Sequence, residues 1–382
     1  MYFRTLILAS CLAASACAHR IDPPLGTPSP PSDVDAIARS TLAKPNIGGI
    51  GMARIIDGEI AWTGYWGEQS PGVPVGPQTA FNTASVAKTI IAETVLRLVQ
   101  NGELRLDDPI AEYYRHPDLA SDPRYDKLTP KLLLSHQAGL KNWAYAYDDG
   151  KLAFIDEPGN GEVHYSGAGI TILMRYLEER FDEKYPELVD RVLFGPLGVT
   201  GIEIGRTAEL EGHVAGPIDA AGKHYPPFTY TGDGDILSVG SYNPADNLYA
   251  TVPGYAGLLV ALVEGRGLSE DMQQKREELL SASTSELGYV CHAAPTDCPD
   301  PLGYGLGWGL FGEPDRMIVN HGGNDFGEHA QVYFSRQDRD GLVLFVNGGG
   351  AFESGIDIIE VVEPDLLMAK HFRALIDMMK RE

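Results

Sequence analysis

The stretch from Ser85 to Gln100, SVAKTIIAETVLRLVQ, is apolar on nearly every side of the helix it is predicted to form, and it stops at Asn101-Gly102, a natural left-handed end. A helix without a polar face cannot lie on a surface, so the rest of the chain has to enclose it. The composition provides for that: 382 residues, 43% hydrophobic and 22% charged, are too apolar for disorder and long enough to bury a large core. Length fits two or three domains, or one elaborated domain of two lobes. The 30 Lys and Arg against 53 Asp and Glu leave a net charge of −23, which excludes nucleic-acid binding by counterion release for want of a basic stripe.

The N-terminus reads as an address. Arg4, the apolar Leu6-Ile7-Leu8-Ala9 and the small Ala14-Ser15-Ala16 before Cys17 predict a signal peptide over residues 1–17, too short to span a membrane and stay. Ala-Ser-Ala-Cys resembles a bacterial lipobox, so Cys17 is the expected lipidation site; the alternative is an ordinary cleaved leader with an incidental cysteine. A Pro-rich tether over residues 18–34 then leashes the rest. This predicts a protein on the periplasmic side, as an outer-membrane lipoprotein of a Gram-negative bacterium or else secreted or periplasmic. Of the four cysteines, Cys291 and Cys298 remain, and in an oxidising compartment they are expected to form a local disulfide. His292 is their only neighbouring zinc-type ligand, which makes a metal site the poorer reading.

Ile47 to Arg54 and Glu59 to Trp66 read as strands joined by a tight turn at Asp57-Gly58. Helices are predicted at Ser85–Gln100, Thr129–Ser135, Gly169–Phe181 and Gly254–Val263. After Leu302 the pattern turns strand-like at Arg316–Asn320, Ala330–Ser335 and Leu342–Val346, with Asp340-Gly341 as a turn, and one amphipathic helix over Ile356–Met379 closes the chain. The class is therefore α/β (α+β). An antiparallel sheet from both termini (35–84 and 302–382) is flanked by helices, with a mostly helical lobe (85–301) inserted.

One Ser-x-x-Lys occurs, Ser85-Val86-Ala87-Lys88. A three-residue step puts Lys88 one turn beyond Ser85 on the same face, within reach of its hydroxyl. At the first turn of an apolar helix the ammonium is poorly solvated, which favours the neutral amine that can accept a proton. The pair is a nucleophile with its own base. Equally open from this motif alone, Ser85 is a helix cap and Lys88 a snorkelling side chain.

The motifs Asn82-Thr83-Ala84-Ser85-Val86-Ala87-Lys88, Leu104-Arg105-Leu106-Asp107-Asp108-Pro109-Ile110, Ser135-His136-Gln137-Ala138-Gly139-Leu140, Tyr165-Ser166-Gly167, Tyr304-Gly305-Leu306-Gly307-Trp308 and His321-Gly322-Gly323 follow the order of the serine β-lactamase-like family, which the chain resembles over nearly all its length after the tether. That family joins class C β-lactamases, D-Ala-D-Ala carboxypeptidases, D-aminopeptidases and class VIII esterases. The resemblance implies the β-lactamase/transpeptidase-like fold and a serine hydrolase of esters or amides, cyclic amides included. Ser85 would be acylated, Lys88 would help remove its proton, and Tyr165 would carry that proton to the leaving group. A phenol is a poor base at neutral pH, but a neighbouring ammonium makes its ionised form easier to reach. Backbone N–H groups of Ser85 and Asn324, along the Gly322-Gly323 edge, would form the oxyanion hole.

Two departures bear on substrate. The family's Tyr-x-Asn asparagine is Gly167 here, and the cation of its third motif is His321, an imidazole that would anchor an anion only once charged. Activity on anionic substrates is therefore expected to improve below about pH 6.5. Esters or amides without a strong terminal anion fit better. Gly307 to Gly312 matches a dinucleotide fingerprint, but no helix follows it. Asp233 and Asp235 are better read as a solvated loop than as a calcium site. Tyr145, Tyr147, Tyr225, Tyr230 and Tyr242 either line a groove or cover loops. No cofactor or metal is implied, and the partner is a small-molecule or short-peptide substrate. The alternative function is a penicillin-binding or sensor-type protein that acylates without efficient turnover.

Overall fold

The protein is described by a computed structural model covering residues 27–281 and 289–381. The predicted leader, Cys17 and most of the tether lie outside the described residues. Helix α1 (Ser32–Thr41) follows Pro31, so the tether ends three residues earlier than expected; Asp33 and Asp35 favour its N-terminal turn, and Val34, Ala38 and Thr41 are buried. Strands β1 (Ile47–Ile56) and β2 (Glu59–Ser70) form the anticipated hairpin, with Asp57 and Gly58 at φ 53° and 81°. β3 (Val73–Pro74) and β4 (Ala80–Asn82) lead to α2 (Ala87–Gln100).

The inserted middle holds α3 (Pro130–Leu134), α4 (Gly167–Phe181), α5 (Tyr185–Val189), α6 (Gly195–Leu197), β5 (Ile202–Ile204), β6 (Leu248–Thr251), α7 (Val252–Val263) and α8 (Glu270–Arg276). It is not wholly helical, since β4, β6 and β5 pair into a three-stranded sheet. β7 (Leu302–Tyr304), β8 (Gly309–Gly312), β9 (Met317–Asp325), β10 (Glu328–Ser335), β11 (Asp340–Gly348), α9 (Phe352–Val362) and α10 (Leu367–Met379) complete the fold. The glycine-rich run that resembled a dinucleotide fingerprint is thus strand β8.

The main sheet has eight strands in the order β3-β2-β1-β11-β10-β9-β8-β7, every pair antiparallel, so the hairpin from the N-terminus meets the C-terminal strands where Ile50 faces Val346. Its two faces serve two cores. Ala53, Val332, Val343 and Phe345 pack inward among α2, α4 and α7, while Ile50, Met52, Leu344 and Val346 pack outward among α1, α9 and α10. Alternation here separates core from core rather than core from water, so the strands read as continuous apolar runs.

Two boundaries differ from expectation. Asp340 and Gly341 lie inside β11, because the turn comes earlier, around Arg339 at φ 60°. The single closing helix is two, broken at Glu363, whose φ −140° and ψ 82° are non-helical because Pro364 follows and clashes with a helical predecessor. Cys291 and Cys298 form a disulfide. Among the described residues no helix is long and apolar enough to cross a membrane.

Candidate active site

Between β4 and α2 the chain turns sharply. Asn82 accepts the Ala84 N–H through Oδ1 at 3.1 Å, and Ala84 sits at φ 46°, a conformation that a residue with a Cβ adopts only under constraint. Ser85 therefore stands in a short 3₁₀ turn, and the α-helix proper starts at Ala87, two residues later than anticipated. The three-residue step still works. Nζ of Lys88 lies 2.8 Å from Oγ of Ser85, donates to the carbonyl of Ala245 at 2.6 Å, and stands 5.0 Å from the centroid of the Tyr165 ring. Lys88 is 0% exposed. Residues 85, 88 and 165 thus meet at one point, which the chain reaches from the start of α2 and from the residue two before α4.

Gly167 leaves room that a neighbour takes: a Cβ there would lie 2.4 Å from the Trp143 ring. The Gly167 N–H donates to Oδ1 of Asn142 at 2.7 Å, and Asn142 bounds the same cavity as Ser85 and Tyr165. An amide therefore stands at the site, supplied from another segment; only the absence of a side chain at 167 hinted at it. Gly323 is required by close approach, since a Cβ would come 2.1 Å from the Thr83 carbonyl and 3.1 Å from the Ser85 nitrogen. From His321 to Asp325, β9 pairs with β10 alone among the described strands, so its other edge is open. Ser85, Gly322 and Asn324 line one cavity of about 350 Å³, with Tyr289, Phe352 and Phe372 as apolar wall. None of the five tyrosines considered from sequence lines it. A larger cavity of about 540 Å³, beside Glu203, Glu209 and His213, shares no lining residue with it.

His321 does not supply the cation its position suggested. Burial, then the charge of Lys88, pushes its pKa down to about 3, so it stays neutral through the range in which it was expected to charge. Its Nδ1 is 2.8 Å from the Gly322 carbonyl and its Nε2 is 3.0 Å from the Tyr304 hydroxyl, an arrangement that a neutral ring satisfies by donating once and accepting once.

Three carboxyls that the sequence reading missed stand around this centre. Burial, then repulsion from Asp325, raises the pKa of Asp246, and burial alone raises that of Asp325 against the hydrogen bonds it accepts, with Lys88 pulling the other way on both. Glu328 is fully buried and raised by the same two causes as Asp246. Asp325 directly follows the His-Gly-Gly-Asn run, which was the available signal. Asp246 lies in a loop and carried none. Asp233 and Asp235 sit in an exposed loop, where Asp235 is bonded by Thr231, and among the described residues no cluster of His, Cys, Asp and Glu is fit to hold a metal.

Comparison with known proteins agrees with this fold. The family model described as Beta-lactamase matches residues 34–362. The Bacillus subtilis protein PbpX is 26% identical over 256 residues, 64% of this chain and 62% of that protein. Among solved structures, EstCE1, titled a hydrolase with promiscuous acyltransferase activity, superposes with a TM-score of 0.71 at 17% identity, covering 90% of this chain and 97% of that one. The D-amino acid amidase of Ochrobactrum anthropi SV3 gives 0.65 at 21% identity, over 88% and 99%. At such identities the likeness is one of fold. The chain spans less than two thirds of the length of the first curated relatives it matches.

Proposed function

This chain belongs to the beta-lactamase family, and from that premise we propose that it is a serine hydrolase that forms an acyl-enzyme at Ser85 and releases the acyl group to water. The observation that carries the reading is the 2.8 Å separation between Ser85 Oγ and Lys88 Nζ beneath the Tyr165 ring. As Oγ attacks a carbonyl carbon, its proton passes into the Lys88 and Tyr165 pair and from there to the departing alcohol or amine. Water then repeats the sequence against the new ester. The developing oxyanion is assigned to the backbone N–H groups of Ser85 and Asn324.

For substrate, neutral or cationic esters and amides fit better than anionic ones. A neutral imidazole occupies the position of the family's cation, Asp246 and Asp325 are gathered near Lys88, and no Lys or Arg is among the residues bounding the cavity. The leader and Cys17 support placing the reaction outside the cytoplasm. The test is fluorophosphonate labelling followed by intact-mass analysis, alongside p-nitrophenyl esters, nitrocefin and D-aminoacyl anilides. A Ser85-dependent adduct with turnover supports the reading. A stable adduct without turnover indicates a slow acylator, and no adduct removes Ser85 from the chemistry.

A further inference from the structure

His136 belongs to a motif whose role the proton path leaves unassigned. Its carbonyl accepts the His164 N–H at 2.8 Å, and its Nδ1 accepts the Ser166 N–H at 3.2 Å. Those two N–H groups belong to the residues on either side of Tyr165, so one residue holds the backbone before and after it. The His136 ring also packs, tilted, against the Tyr165 ring at 4.4 Å between centroids and against Tyr304 at 4.7 Å. We propose that His136 is the positioning residue that fixes Tyr165 against Ser85 and Lys88, through the backbone N–H groups of the residues on either side of it and through the ring packed against its own. This rests on the reading of Tyr165 as the proton carrier.

Two local costs gather on this residue. It is 1% exposed and sits at φ 56°, left-handed for a residue that is not glycine. With Nδ1 accepting, the ring proton is on Nε2, which is buried without a hydrogen-bond partner. A residue kept only to fill the core would be better served by an apolar side chain in ordinary backbone. What the imidazole adds is an acceptor at one point, the spot facing the Ser166 N–H. Burial, then the charge of Lys88, holds its pKa well below the usual range, so Nδ1 stays free to accept.

The experiment compares two replacements that both tolerate left-handed backbone. His136→Asn keeps an acceptor, Oδ1, near the place of Nδ1; His136→Gly has none. With a p-nitrophenyl ester, His136→Gly should lose about tenfold or more in kcat while KM stays within about twofold, and His136→Asn should recover most of that loss. A folded His136→Gly with kcat within about twofold of wild type, or a His136→Asn no better than it, overturns the proposal. Should the glycine variant not fold, ¹⁵N-histidine NMR of the wild type decides. The Nε2–H tautomer without titration between about pH 5 and about pH 9 is expected, whereas an Nδ1–H tautomer or a midpoint near about 6.5 overturns it. Fluorophosphonate labelling separates the two readings. An unlabelled wild type sinks the hydrolase and this inference with it, while a wild type and a glycine variant labelled at equal rates sink this inference alone.

Discussion

Lys88 is a fully buried amine whose hydrogen bonds go to Ser85 Oγ and the Ala245 carbonyl. Lys88→Met keeps the stem and removes the amine, so kcat should fall by about 10²–10⁴ while the thermal transition is nearly retained; unchanged turnover would mean that another group is the base. Ser85→Ala should abolish turnover with the fold intact. His321 makes a sharper case, because the structure reverses what its position suggested. Any gain for anionic over neutral substrates on acidification should come from proton uptake by Asp246, pushed up to about 7, together with Asp325, whose pKa is also raised. The gain should therefore persist in His321→Gln and shrink in Asp246→Asn, as ratios of kcat/KM at about pH 5.5 and about pH 7.5 will reveal. The reverse pattern would restore the imidazole as the anion anchor. Ser85, Lys88 and Tyr165 were legible because spacing and motif order are properties of the chain itself. Asn142 was not, since the amide it brings comes from a segment that only folding sets beside Gly167.

Helix α2 was correctly read as enclosed, yet its two charged residues beyond Lys88 needed the fold to explain them. Glu93 is 0% exposed and meets Arg97 at 2.7 Å, Arg276 of α8 at 3.2 Å and the Trp308 indole N–H at 3.2 Å. Burial alone would raise its pKa, but the Arg276 and Arg97 guanidiniums outweigh that and hold it below the usual range. Glu93→Leu would strand two buried guanidiniums and should lower stability by about 3–5 kcal/mol in urea unfolding; a loss below about 1 kcal/mol would show that the cluster is solvated after all. The pairing was invisible in sequence because Arg276 and Trp308 lie far along the chain from Glu93. By contrast, Pro364 was there to be read, and dividing the last helix at it needed only the rule for residues that precede proline.

At the scale of the whole molecule, buried groups of opposite type set the response to pH. Asp246, Asp325 and Glu328 have raised pKa values, so the folded chain holds protons that the unfolded chain releases, and their contribution to stability falls as pH rises above the ordinary carboxylate range. His136, His321 and His329 have lowered values, so their contribution is lost as pH falls below about 6.5, the unfolded histidine value. The two sets oppose each other. Asp246→Asn removes one member of the first set, and its melting temperature relative to wild type should rise as pH increases from about 5 to about 7.5; a constant difference would mean that the carboxyl titrates alike folded and unfolded. The sequence by itself determined the enclosed helix, the hairpin and C-terminal strands, the meeting of Ser85 with Lys88, and the fold class, because turn chemistry, periodicity and short spacings act between residues near in the chain. Only the tertiary structure decided that His321 is neutral, that three carboxyls crowd the centre and that His136 grips both sides of Tyr165. Charge state and hydrogen-bond partnership depend on burial and on neighbours brought together by folding, and those are not written in any local stretch.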